Sequence, residues 1–235
     1  MAIAIDGTPV VQVGSTFVPT VTCSSVVIGS GSDRFLIAIL AYRNDTTEPA
    51  SVTYGGVAMT KISPATSPTI SGIRIAAYGL DDPATGTANV VATSGQAEFS
   101  ASMVAVGWTG VSGATGWNSA TGTSTTPSVT ISSVAAGEVT IDVLGALAGN
   151  IADSDASGTQ IAIADTTVGG ANGFGSSYDA GSTGSVAMNW TADLDDWVIG
   201  GFRLQVASAA ATVPPPTFPM RFMRGLRGTG GRRAS

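Results

Sequence analysis

Alternation of apolar and polar positions is clearest at Ser51 to Ile62, SVTYGGVAMTKI, where two period-two runs meet at Gly55-Gly56. Period two sends successive side chains to opposite faces of a strand, and a two-residue loop needs positive φ at both central positions, which glycine reaches without steric cost. The segment therefore predicts a β-hairpin with Val52, Tyr54, Val57 and Met59 on one apolar face. Similar short bursts recur along the chain. They predict strands at 9–13, 17–28, 35–42, 50–54, 57–63, 71–79, 88–93, 97–108, 128–132, 138–145, 160–165, 173–179, 184–190 and 196–206. Turn signals fall between them at Gly29 to Asp33, Asp81-Asp82-Pro83, Gly95, Gly110 to Gly116, Ala135 to Gly137 and Gly169 to Gly175. The connections at 110–127 and 146–159, rich in Gly, Ser and Thr, are long enough to be surface loops, where binding tends to be located. No run shows a convincing helical period, so the pattern predicts an all-β, antiparallel chain.

Composition adds size to this picture. With 235 residues, 43% of them hydrophobic and 11% charged, the chain can bury a sizeable core, and all-β sandwiches of this length are commonly one domain. The expectation is a single sandwich over residues 1–207, followed by an extended tail over 208–235. The longest apolar stretches, Phe35 to Tyr42 and Ser102 to Trp108, are too short to span a bilayer, so no membrane partner is expected. The opening MAIAIDGTPVVQVG has neither the basic start nor the continuous apolar core of a secretory signal and reads as a strand, which suggests synthesis in a cytoplasm. Cys23 is the only cysteine, which excludes an intrachain disulfide, and its apolar neighbours predict a buried, inert thiol.

Charge is segregated along the chain. Residues 1–213 carry five basic and sixteen acidic side chains, whereas residues 214–235 carry Arg221, Arg224, Arg227, Arg232 and Arg233 and no acid. Pro214-Pro215-Pro216 favours an extended polyproline linker. Beyond it, Phe218, Met220, Phe222, Met223 and Leu226 interleave with Arg221, Arg224 and Arg227, giving a segment both apolar and cationic that suits docking on a partner. Nucleic acid ranks behind protein as that partner, because the acidic body would repel a duplex and no nucleic-acid module is recognisable. An acidic protein surface is the expected receiver.

Candidate chemistry is sparse. The chain has no histidine, which removes Ser-His and Cys-His nucleophiles and His-containing metal sites. Glu48, Glu98 and Glu138 are scattered and show no spacing that argues for a catalytic carboxylate pair. Asp153, Asp155, Ser157 and Gly158 match the opening of an oxygen-rich calcium loop, but Ala164 stands where the closing acid is needed. An acidic turn is the preferred reading there and at Asp193, Asp195 and Asp196, and no cofactor is expected. Among the aromatic residues, Trp108, Trp190 and Trp197 fall in or beside strong strand patterns and predict core packing. Trp117, in a Gly-Ser-Thr stretch, is the candidate for an exposed ligand contact such as a sugar platform.

Four stretches, GSGSDRFLIAIL (Gly29 to Leu40), SVTYGGVAMTKI, IAAYGLDDPATGTANVVAT (Ile75 to Thr93) and DWVIGGFRLQV (Asp196 to Val206), follow one another in an order with a known parallel. The order resembles a concanavalin-like β-jelly-roll domain that recurs in bacteriophage structural proteins and in bacterial surface proteins. The resemblance implies an antiparallel jelly-roll sandwich in a viral or cell-surface setting and carries no catalytic residue. The resulting expectation is a non-enzymatic virion protein on the outside of a capsid or tail. It would be anchored to other virion subunits through the basic arm, as a homo-oligomer. A carbohydrate- or receptor-binding module of a tail fibre or cell surface is the alternative.

Overall fold

The computed structural model describes residues 2–43, 48–64, 67–95, 99–147, 150–153, 160–168 and 172–208. In the first half of the chain the strands are β1 (Ala4–Val18), β2 (Thr20–Ile28), β3 (Phe35–Arg43), β4 (Ser51–Tyr54), β5 (Val57–Ala58), β6 (Thr60–Lys61), β7 (Thr69–Ile70), β8 (Ile73–Asp81), β9 (Gly86–Thr93) and β10 (Phe99–Thr109). The second half continues with β11 (Val111–Gly122), β12 (Ser128–Val134), β13 (Val139–Ala146), β14 (Ile151–Asp153), β15 (Gln160–Val168), β16 (Asn172–Ala180), β17 (Gly184–Ala192) and β18 (Trp197–Val206). Among the described residues every strand pairing is antiparallel, as the alternating pattern predicts.

The pairs are nested. In the first half β1 pairs β10, β2 pairs β9, β3 pairs β8 and β4 pairs β5, so the chain folds like one long hairpin. Rolling that hairpin brings β10 beside β3 and β9 beside β4, which closes two sheets in the orders β1-β10-β3-β8-β6, with β7 also on β8, and β2-β9-β4-β5. The second half repeats the plan, with β11-β18-β13-β16-β15 facing β12-β17-β14.

Three apolar cores join these four sheets in series. The first core lies between the two sheets of the first half and contains Cys23, Leu36, Leu40, Tyr42, Val90 and Met103. A second core lies between the halves, where Ile37, Ile39, Ile75 and Val106 meet Val139, Ile141, Val143, Phe202 and Leu204. The third core fills the second half with Ile131, Leu144, Met188, Trp190, Trp197 and Ile199. Strands β3 and β13 are consequently covered on both faces, which is why FLIAILAY is a continuous apolar run and every residue of VTIDVLGA is buried, Thr140 and Asp142 included. The pattern expected as one sandwich over 1–207 is thus realised as two sandwiches packed face to face, because the central strands need a layer on each side.

The hairpin at Gly55-Gly56 forms as expected: Tyr54 pairs Val57, and the two glycines have φ of 55° and 85°. Beyond it the predicted strand 57–63 divides. Residues Val57–Ala58 stay with β4, whereas Thr60–Lys61 cross to pair β8 in the other sheet. Met59 is buried at the crossing, but Val57, expected on the same apolar face, is 56% exposed. Strand β11 also departs from expectation, since the sequence pattern predicts a loop over 110–127. Positive φ at Gly113 and Gly116, next to register shifts in its pairing with β18, lets a Gly-rich segment run as a bulged edge strand.

Polar groups inside the second sandwich are satisfied by one another. Asp142 is fully buried on β13, and its Oδ1 accepts from the Ser177 amide at 2.7 Å and the Ser177 hydroxyl at 2.9 Å. Its Oδ2 accepts from Trp190 Nε1 at 2.6 Å, which bridges the two sheets. Gln160 extends the network, donating to Ser177 Oγ and accepting from the Asn189 amide.

Candidate functional site

A cleft lies at one end of the first sandwich, between the tip of the β4–β5 hairpin and the β8–β9 connection. Its volume is about 740 Å³, and Tyr54, Val57, Leu80, Pro83 and Ala88 give it an apolar lining. The exposed Val57 is explained by this position, since it lies at the hairpin tip beyond the edge of the core. Asp81 and Asp82 stand on the rim, both exposed. Arg34 holds the wall together: it pairs with Asp82, donates from Nε to the Pro83 carbonyl at 3.1 Å and from Nη1 to the Gly31 carbonyl at 2.9 Å. With its donors committed in this way, Arg34 serves as a structural cation, and the lining offers an apolar floor with an acidic rim.

The described chain leaves the fold close to this cleft. Ala207 donates its amide to Gly110 O at 2.9 Å, while the Gly110 and Val111 amides donate to the carbonyls of Ser32 and Asp33. Asp33 is followed by Arg34, whose own carbonyl accepts from the Asp82 amide. The exit of β18, the 29–34 turn and the cleft therefore share one end of the molecule.

A second polar cluster ties Lys61 and Ser67 to Tyr42 on β3. Glu48 accepts from Lys61 Nζ at 2.6 Å, the Ser67 amide at 2.6 Å, Ser67 Oγ at 2.7 Å and Tyr42 OH at 2.9 Å. Burial by itself pushes the Glu48 carboxyl up, but the Lys61 ammonium and the Ser67 and Tyr42 donors outweigh it and hold the group below the usual carboxylate range. Burial also raises the Tyr42 and Tyr78 phenols, with the Glu48 charge adding to both. Lys61 lies 3.2 Å from Ser67 Oγ, yet its charge is committed to Glu48 and Ser67 is buried, so the cluster serves to cross-link. The sign of its acid dependence follows: a depressed carboxyl stabilises the fold above the unfolded-state pKa and loses that contribution as pH falls through the lowered value. Glu48→Gln is expected to cost about 1 kcal/mol at neutral pH and to flatten the loss of stability below pH 4.5, measured by urea titration at several pH values.

The other candidate residues separate. Glu138 pairs with Arg203 at 3.0 Å in the second half, far in the topology from Glu48, and Glu98 lies outside the described residues. The two described glutamates do not form a carboxylate pair. Asp155 and Ser157 also lie outside the described residues, and of Asp153 only the backbone at the end of β14 is described. Asp193 accepts from Asn150 Nδ2, Asp195 from the Asp196 amide and Asp196 from Ser71 Oγ, so these acids brace turns, the last of them across the two halves. Among the described residues no group of three or more His, Cys, Asp or Glu residues gathers to hold a metal ion.

Trp117 requires a correction. It belongs to strand β11 instead of a loop, is partly buried, and stacks on Phe202 with ring centroids 6.1 Å apart and planes at 13°. A Cβ on Gly200 would meet Trp117 Cζ2 at 2.4 Å, so the missing side chain of Gly200 is what lets the indole lie against the sheet. Core packing of Trp108, Trp190 and Trp197 is as expected, at 1%, 0% and 7% exposure. Cys23 is likewise fully buried, with its thiol pushed up to about 12 by burial. The arm residues Phe218, Met220, Arg221, Phe222, Met223, Arg224, Leu226 and Arg227 lie outside the described residues.

The cleft at the hairpin tip has its sequence signal in the turns Asp81-Asp82-Pro83 and Gly55-Gly56, but nothing local in the chain places the two beside each other. No protein-family model and no curated protein sequence matches this chain.

Proposed function

We propose that the protein is a non-enzymatic structural component of a bacteriophage particle, exposed on the capsid or tail and joined to its neighbours through the basic C-terminal arm. The observation that carries the reading is the division of charge: an acidic, self-contained β body ends at Val206, and every side chain charge beyond residue 213 is an arginine. Within the body, Arg34, Lys61 and Arg203 are already paired with Asp82, Glu48 and Glu138, so the arm adds cations for which the body has acids to spare. The nested pairs β1:β10, β2:β9, β3:β8 and β4:β5 support a jelly roll in the first half, with the second half a variant of the same wrap. The four motifs that resemble phage structural domains lie within these strands and turns. Glu48, Asp82, Glu138, Asp142, Asp193 and Asp196 each brace neighbouring groups, which favours binding over turnover.

Deleting residues 214–235 is expected to leave the body folded and to abolish incorporation into particles. Particles that carry the truncated chain at the level of the full chain would count against the reading.

A further inference from the structure

We propose that the cleft between the β4–β5 hairpin and the β8–β9 connection is the docking site of residues 218–227 of the same chain. The proposal concerns the isolated protein and goes beyond the virion reading, since it stands or falls without any particle.

Three observations carry it. The first is position: Ala207 is hydrogen-bonded to Gly110, which together with Val111 is bonded to Ser32 and Asp33, the residues leading into Arg34 on the cleft wall. The chain that follows starts at the cleft's own end of the molecule, and residues 209–217, extended at ~3.3 Å each, reach about 30 Å. The second is chemistry: Val57, Leu80 and Pro83 offer an apolar floor, while Asp81 adds an exposed carboxylate at the rim beyond the Arg34–Asp82 pair. The segment Phe218 to Arg227 presents aromatic, Met and Leu side chains interleaved with three arginines, so apolar side chains meet the floor as guanidinium groups meet the carboxylates. The third is size: about 740 Å³ lies within the range of pockets that enclose a small ligand, enough for a few of these side chains. Tethering favours the chain's own arm over that of another molecule, because a short linker supplies an effective concentration on the order of 1 mM. A docked arm is unavailable to a neighbouring subunit until something displaces it.

Limited trypsin digestion of the full chain tests this. Cleavage after Arg221, Arg224 and Arg227 is compared with cleavage of a synthetic peptide of residues 214–235. Protection of about tenfold is expected, the ratio that ~1 mM effective concentration gives for an affinity of ~0.1 mM. Val57→Gln with Asp81→Asn in the cleft, and separately Phe218→Ser with Phe222→Ser in the arm, are each expected to bring the rate to that of the peptide. The arm pair lies outside the described body, so its result does not depend on the cleft variant folding. Light scattering is expected to report a monomer while the arm is protected. The proposal is overturned by equal rates for wild type and peptide, or by protection that the cleft substitutions leave intact in a folded variant. Protection that appears only as a dimer forms also overturns it, assigning the cleft to a second copy's arm.

Discussion

Asp142→Ala is expected to destabilise the protein by about 3–5 kcal/mol, read as a large fall in the urea midpoint. The carboxylate is fully buried and is the acceptor for three donors that water cannot reach: the Ser177 amide, the Ser177 hydroxyl and the Trp190 indole. Alanine leaves all three unpaired and opens a cavity between β13 and β17. Trp190 makes the cost larger than a lost hydrogen bond, because its ring fills the third core and its one polar atom is aimed at Asp142. Asp142→Asn, which keeps the volume and one acceptor oxygen, is expected to lose less. A midpoint that Asp142→Ala leaves unmoved would show that the network does not hold the second sandwich together.

Val143→Asp is the second large effect, expected to cost about 4 kcal/mol or more and to leave little folded protein. Val143 is fully buried in the core between the two sandwiches, one residue along β13 from Asp142 and on the opposite face. A carboxylate there would be desolvated in a cluster that also holds Ile39, Ile75 and Phe202 and contains no cation to pair with it. Val27→Asp is the comparison: Val27 is 48% exposed on the outer sheet of the first half, and a charge there should shift stability by less than about 0.5 kcal/mol. Equal, small effects at both positions would mean that β13 faces water and that the halves do not pack on each other.

That interface is also where sequence and structure part. Hydrophobic alternation located most strands because one-sided burial writes a period of two, as in Thr20–Ile28, where Val21, Cys23, Val26 and Ile28 are buried on either side of the bulge at Ser25. The runs FLIAILAY and WVIGGF lack that period, which signals layers on both faces, whereas VTIDV keeps it because the polar Thr140 and Asp142 occupy the second buried face of β13. Strand propensity by itself does not reveal the extra interface. Strand β11 was hidden for the opposite reason: SGATGWNSATG is poor in strand formers, and its place at a sheet edge comes from pairing with β18 and not from local preference. Trp117 followed it, since a tryptophan among Gly, Ser and Thr looks exposed until Gly200 and Phe202 are brought beneath it. The cleft depends on the crossing at Met59 and the meeting of two turns distant in sequence, which periodicity does not encode.

The central claim, a surface component of a phage particle, is tested most directly on particles released from cells that express the chain. The measurement is mass spectrometry of the purified particles together with immunogold labelling in negative stain. The proposed role predicts the protein at a fixed ratio to a major structural subunit, with gold on the outside of capsid or tail. Its absence from particles, while the full-length chain is abundant in the cell fraction, would contradict that role.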